Sequence, residues 1–265
     1  MKCTVVIPSR YGSTRFPGKP LADVAGRSLV RRVHEIAAAA RGVDRVVVAT
    51  DDERIAEHVR GFGGEAVMTP ASCRNGTERA HAAAGMLDER PDAVVNLQGD
   101  AVLTPPWVLE AVVDELRRSP DAPIVTPAAR LDADSLRLLR EAKAAGEVGG
   151  TTVVFDAHGD ALYFSKAVLP YVRDPKGGAP TFRHVGLYGY RIDALERFVA
   201  LPPSALELTE GLEQLRALEN GMRIRVVEVD YRGRRHLAID SSEDLVRVEA
   251  LLAEDGELVP AEGGA

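Results

Sequence analysis

The apolar residues of this chain fall into two alternating textures. Short β-branched runs, among them Val5-Val6-Ile7, Val46-Val47-Val48 and Val94-Val95, have the length and composition of strands buried on both faces. They predict strands over 1–8, 45–50, 65–68, 92–100 and 123–130. Between them, apolar positions recur three to four residues apart. Residues 28–41 follow a serine cap and stop at Gly42, 51–61 open on two aspartates, and 77 to about 87 follow a glycine. Pro105-Pro106 suits the first turn of a helix to about Arg118, and 132–145 read as another. Strands alternating with helices predict an α/β fold built on a doubly wound, mostly parallel sheet. Its ligand belongs beyond the carboxyl ends of the strands.

From Gly149 the pattern changes. TTVVFDAHGDALYFSK reads as two strands around an Asp156-Ala-His-Gly159 turn, followed by a Pro- and Gly-rich loop over 170–180 and a strand over 182–191. Helices near 193–200 and from Thr209 to Asn220, a strand over 223–229, and a last amphipathic helix capped from Asp240 complete the reading. This antiparallel excursion implies a lobe, about 150–232, within one domain over 1–252. The acidic, Gly-rich residues 253–265 are expected to form a flexible tail. No internal repeat is present.

A chain of 265 residues, 45% hydrophobic and 28% charged, can bury a large core. Its net charge of −7 argues against nucleic acid as a partner and makes the cationic stretch at 10–19 a local exception. No apolar run approaches the roughly 20 residues of a membrane span. The N-terminus shows no export signal, so cytoplasm is the expected location. The two cysteines, Cys3 and Cys73, form neither a zinc pattern nor a disulfide framework.

The cationic exception lies where the first strand ends. Pro8, Ser9, Arg10, Ser13, Arg15 and Lys19 share a loop with Gly12 and Gly18, and it matches neither common glycine motif for phosphates. Glycines let backbone N–H groups close around an anion, and cations supply charge for a polyphosphate. Lys19, Arg10 and Arg15 are therefore candidate catalytic groups, with Lys19 placed to bridge an α-phosphate and its leaving group. Two aspartates at loop positions after strands, Asp100 and Asp240, are candidate ligands for Mg²⁺, which takes one or two carboxylates plus phosphate oxygens. Taken alone, Asp100 equally suits a turn and Asp240 a helix cap. Arg74-Asn75-Gly76-Thr77-Glu78-Arg79 reads equally as an ordinary cap or as a helix start approaching a ligand.

The order strand, R-Y-G-S-T-R-F-P-G-K-P-L, VVNLQGD, ALYFSK, HVGLYGYR, GLEQLRALENG, IDSSEDL resembles that of the CTP:3-deoxy-manno-octulosonate (KDO) cytidylyltransferases over residues 3–252. The resemblance implies a nucleotide-diphospho-sugar transferase, Rossmann-like fold. It implies transfer of CMP from CTP to a small acidic acceptor with release of pyrophosphate, aided by Mg²⁺ at Asp100 and Asp240. By the same resemblance, Asn75, Gly76, Thr77, Arg79 and Gln98 join the CTP site. His184, Tyr188, Glu210 and Gln214 face the acceptor in the lobe that also forms a homodimer contact.

Departures from the family pattern lie beside these motifs. Q-G-D-E-P becomes Gln98-Gly-Asp-Ala-Val102, H-x-S-G-T becomes Cys73-Arg-Asn-Gly-Thr77, and N-P-N-x-V-K becomes Glu147-Val-Gly-Gly-Thr-Thr152. They leave two alternatives to a KDO-like acceptor: a phosphonate bound with help from Arg74, or a transferase using another nucleoside triphosphate.

Overall fold

Cys3–Pro8 forms β1, the central strand of the first of two compact units in this computed structural model, which describes residues 1–12, 16–174, 179–235, 237–239 and 241–259. Val5, Val6 and Ile7 are fully buried, as their unbroken apolar run requires of a strand covered on both faces. Burial of each such side chain contributes about 1.5–3 kcal/mol. After the loop and a single 3₁₀ turn, Lys19–Leu21, a small hairpin of β2 (Asp23–Val24) and β3 (Arg27–Ser28) precedes α1 (Leu29–Ala39). Neither the turn nor the hairpin carries a periodic apolar signal. There follow β4 (Arg45–Thr50), α2 (Glu53–Gly61), β5 (Glu65–Met68), α3 (Gly76–Gly85) and β6 (Ala93–Leu97).

The first unit, Met1–Asp114 with the chain from Tyr231 onward, has the parallel order β5-β4-β1-β6. Strand order therefore reverses beside β1, between its neighbours β4 and β6. At such a switch point the connections diverge and leave a crevice above the strand ends. Ser9-Arg10 follow β1 and Gln98-Gly99-Asp100 follow β6, so the fold brings both loops to one crevice.

Helix α4 (Pro106–Arg118) leads to the second unit, Glu115–Asp230. It contains β7 (Ile124–Arg130), α5 (Ala133–Ala144), β8 (Thr152–Phe155), β9 (Ala161–Ser165), β10 (Phe182–His184), β11 (Leu187–Arg191), α6 (Ile192–Val199), α7 (Ala205–Glu210), α8 (Gln214–Glu219) and β12 (Ile224–Val229). Here β7 is the hub. It pairs antiparallel with β10 and β11 and parallel with β12, while β8 joins β10 to β9. The unit starts well before the texture change at about 150, because β7 pairs with strands that all come later in the chain.

The expected strand over 182–191 is two strands, broken at Val185-Gly186. The expected helix over 209–220 is two, separated where Gly211 takes a left-handed φ of 62°. Helix α9 (Ser242–Asp255) closes the first unit, and its N-cap is Ser241 in a capping box with Asp244, not Asp240. Residues 253–259, expected to fray, are helical to Asp255 and then fold back on α1. Glu257 there is paired with Arg27 and Arg32.

In the second unit, Arg216 is 2% exposed, ion-paired to Glu207 at 3.0 Å and Glu213 at 2.9 Å, and stacked 4.6 Å from the Phe198 ring centroid. Removing one member of such a buried set leaves the remaining charges unpaired. Arg216→Ala is expected to lower unfolding stability by about 3 kcal/mol, measured by urea denaturation.

Candidate active site

Above the switch point lies a cleft of about 340 Å³, lined by Pro8, Ser9, Arg10, Lys19, Pro20, Cys73, Arg74, Asn75, Gly76, Arg79, Gln98, Gly99 and Asp100. Three segments distant in sequence meet there: the end of β1, the start of α3 and the end of β6. Lys19 stands at the centre. Its ammonium donates to an Asp100 carboxylate oxygen at 2.9 Å and to the Ile239 carbonyl at 2.8 Å. Gly18, left-handed at φ 72°, makes the turn that presents it, and the Gly18 N–H closes the loop onto the Tyr11 carbonyl at 3.0 Å. Tyr11 in turn stacks on the Arg54 guanidinium, 3.4 Å from its ring centroid, which pins the stem of the loop.

The start of α3 forms the opposite wall. Asn75 is its N-cap, its side chain accepting from the Glu78 N–H at 2.8 Å, and Arg74 is held by an ion pair to Glu78. A helix start presents backbone N–H groups and the positive end of its dipole, which favours an anion or an electron-rich ring edge. Gly76 permits close approach of this wall. A Cβ there would lie 3.0 Å from Gln98 Oε1 and 3.1 Å from Pro8 Cγ. At Gly99 a Cβ would lie 2.8 Å from the Pro8 carbonyl oxygen, so the ends of β1 and β6 stay together only because residue 99 has no side chain.

Polar groups beneath the cleft hold its walls. Gln98 donates to Asn96 at 3.3 Å, and Asn96, fully buried, donates to the Thr77 hydroxyl at 3.2 Å. Arg79 is 3% exposed and committed to Asp51 at 2.8 Å and the Thr69 hydroxyl at 2.6 Å. Burial raises the pKa of the Cys73 thiol, keeping it protonated and a poor nucleophile.

The sequence candidates Lys19, Arg10, Pro8, Ser9, Asn75, Gly76, Arg79, Gln98 and Asp100 thus line one cleft, with Thr77 buried beneath it. Arg74, expected toward the acceptor, lines the same cleft. Ser13, Arg15 and Asp240 lie outside the described residues. Asn96, Asp51 and Thr69 were not singled out in the sequence. Asn96 alone left a signal there, an amide inside the apolar run Val94-Val95-Asn96-Leu97. The Ile239 carbonyl left none.

The other candidates lie in the second unit. His184 Nε2 is 2.9 Å from the Thr126 hydroxyl, which itself donates to the Leu187 carbonyl at 2.8 Å. Nε2 therefore carries the hydrogen. The ring packs edge-on against Phe164 and tilted against Tyr188. Tyr188 keeps part of its surface open, but burial of its hydroxyl raises that group's pKa well above the tyrosine norm, so it remains a neutral hydrogen-bonding group. Glu210 accepts from the Ser165 hydroxyl at 2.7 Å and the Lys166 N–H at 2.8 Å. Gln214 is 6% exposed, and its Nε2 is buried without a hydrogen bond to any described residue. An unpaired buried amide costs about 1–3 kcal/mol.

Fold and cleft together define a nucleotide-binding α/β enzyme of the nucleotidyltransferase class. The cytidylyltransferase family profile matches residues 4–224, more than half of the chain, and the chain belongs to that family. It is 58% identical over 259 residues to a 3-deoxy-manno-octulosonate cytidylyltransferase of Maricaulis maris, covering 98% of this chain and 100% of that one. It is 49% identical over 251 residues to one of Anaeromyxobacter dehalogenans, covering 94% and 97%. Among solved structures, a CMP:2-keto-3-deoxy-manno-octonic acid synthetase complexed with CTP superposes with a TM-score of 0.86 at 37% identity, covering 96% of this chain and 100% of that one.

Close approach at residue 99 is directly testable. Gly99→Ala is expected to destabilise the fold by about 1–3 kcal/mol through overpacking against β1. Gly85→Ala, where a Cβ meets nothing within 4 Å, is expected to be neutral or slightly stabilising in the same urea titration.

Proposed function

We propose that this enzyme transfers CMP from CTP to KDO, releasing pyrophosphate. The observation that carries the reading is Lys19 held between Asp100 and the Ile239 carbonyl, opposite the N-terminus of α3, in a chain 58% identical to an enzyme of that name. In this reaction an acceptor hydroxyl oxygen forms a bond to the α-phosphorus and gives up its proton to solvent. The bond from phosphorus to the bridging oxygen of the β-phosphate breaks, and pyrophosphate leaves with the added charge. Positioning and charge neutralisation supply most of the catalysis in such displacements. Lys19 shifts from Asp100 to the phosphates, Arg10 and Arg15 hold the leaving group, and Ser9 and Ser13 complete the loop. Asn75, Gly76, Thr77, Arg79 and Gln98 hold the cytosine nucleotide, Arg79 acting from its fixed place beneath the wall.

The donors suit Mg²⁺, a hard cation that takes carboxylate and phosphate oxygens and keeps several waters. Among the described residues no group of three or more His, Cys, Asp or Glu side chains comes together, so the ion depends on Asp100, Asp240 and substrate oxygens. The N-cap of α9 is Ser241 rather than Asp240. When bound, the ion polarises the phosphates and neutralises their charge.

The acceptor falls to His184, Tyr188, Glu210 and Gln214 in the second unit, where a sugar acid offers hydroxyls to the unpaired Gln214 amide. The phosphonate and alternative-nucleotide readings are not favoured, given the names and high identity of the relatives. No helix among the described residues is long and apolar enough to cross a membrane, and cytoplasm remains our proposed location. We also propose a homodimer through the second unit, whose Leu162, Leu206 and Leu208 are exposed.

Pyrophosphate release from CTP and Mg²⁺ with KDO, sialic acid and small phosphonates offered separately tests the function. Turnover is expected with KDO and not with the others, and CTP is preferred over UTP. Turnover with a phosphonate alone contradicts the reading. Lys19→Met is expected to lower kcat about 10²–10³-fold with the fold intact.

A further inference from the structure

The chain beyond α9 does more than end. Gly256 turns it at a left-handed φ of 77°, and Glu257 then reaches two arginines of a different region. Its carboxylate accepts from Arg32 Nη1 at 2.7 Å and Nη2 at 3.2 Å, and pairs with Arg27 Nη2 at 2.8 Å. Arg32, on α1, is 5% exposed. Its remaining donors hold the hairpin, binding the carbonyls of Val24 and Ala25. Ala25 takes a left-handed φ of 50°, unusual for a residue with a Cβ, and its N–H is held by Glu249 of α9 at 2.9 Å. Arg27 Nη1 also donates to the Val259 carbonyl.

The hairpin follows directly on the turn that carries Lys19. The Ala22 N–H bonds the Lys19 carbonyl at 3.1 Å, and the Leu29 N–H, just past the hairpin, bonds the Ala22 carbonyl at 2.9 Å. On the other side, Leu258 and Val259 line a small groove with Val102, two residues beyond Asp100, and with the charged side chains of Arg27, Arg32, Glu35 and Glu257. One short segment therefore bonds the side chains that hold the hairpin after Lys19 and lines a groove with Val102, which follows Asp100. The start of α9 supplies the third contact, since Ile239, just before its cap, accepts from the Lys19 ammonium.

We propose that Glu257 is a positioning residue for the reaction: by bridging Arg27 and Arg32 it straps residues 256–259 across the hairpin, beside the Asp100 loop, and so holds Lys19 in register with Asp100. The strap touches no part of the cleft lining and acts through the backbone of residues 19–29. This inference rests on the reading that Lys19 binds the phosphates of CTP. Loosening the strap leaves the same groups present but less well aligned before substrate arrives, which weakens nucleotide binding more than it slows the bound complex.

The test compares wild type with Glu257→Gln, Glu257→Asp and Glu249→Gln in the full-length chain. Glu257→Gln keeps the shape and loses the charge of a charge-assisted bridge, so KM for CTP is expected to rise about fivefold with kcat within about twofold. Glu257→Asp is expected to lie between, and Glu249→Gln, whose amide oxygen can still accept from Ala25, to match wild type. Amide hydrogen exchange reads the strap without substrate: the Leu21, Ala22 and Leu29 amides are expected to exchange faster in Glu257→Gln. Unchanged exchange at these amides, or an unchanged KM despite a lower Tm, overturns the proposal and leaves Glu257 a purely stabilising residue. Faster exchange in a protein whose wild type releases no pyrophosphate from CTP sinks the proposed function while leaving the strap in place.

Discussion

Everything at the candidate active site depends on where one ammonium group stands. Lys19 is bound to Asp100 and to the Ile239 carbonyl, so it ties together three loops that come from the beginning, the middle and the end of the first unit. Two oxygen partners hold a long, flexible side chain that otherwise loses about 2 kcal/mol of rotamer entropy on being fixed. The same partners suit a displacement by phosphate. A triphosphate offers the ammonium more negative charge than a single carboxylate does, and in the proposed function it would leave Asp100 to a cation.

The parallel sheet makes that arrangement possible. Because β4 and β6 flank β1 and the strand order reverses beside it, the chain leaves β1 and β6 toward a shared opening. Closeness is enforced by absence of side chains: Gly99 sits against the Pro8 carbonyl and Gly76 against Gln98. Beneath them, Asn96 and Arg79 replace water with protein hydrogen bonds, which fixes the walls before any ligand binds. In the second unit a different logic holds. There β7 gathers later strands around itself, and His184 and Gln214 are buried, with the half-buried Tyr188 ring packed against His184.

Much of this was legible in the sequence where one interaction dominates. Val5-Val6-Ile7 and Val94-Val95 can only be buried strands, and the loops after them carried the candidate residues Lys19 and Asp100. The α/β reading was borne out, because a doubly wound sheet follows from strand and helix alternation alone. Family order, more than spacing, set Asp100 apart from an ordinary turn residue. What escaped reading depends on tertiary contacts with no local signature. The hairpin at 23–28 consists of two-residue strands, too short for periodicity. Val185-Gly186 and Gly211 broke expected elements at single residues, and Glu257 looked like part of an acidic tail because its arginine partners lie more than 220 residues earlier. Asp51 and Thr69 acquire their role only through Arg79.

The proposed function therefore stands on Lys19 binding nucleotide phosphates from a place held ready by Asp100. Calorimetric titration of CTP and of cytidine into wild type and Lys19→Met measures this directly. Lys19→Met is expected to weaken CTP binding at least tenfold while leaving the much weaker cytidine binding unchanged, since only the phosphates meet the ammonium. Equal loss for both ligands, or none for CTP, contradicts the assignment of Lys19 and with it the reading of the cleft.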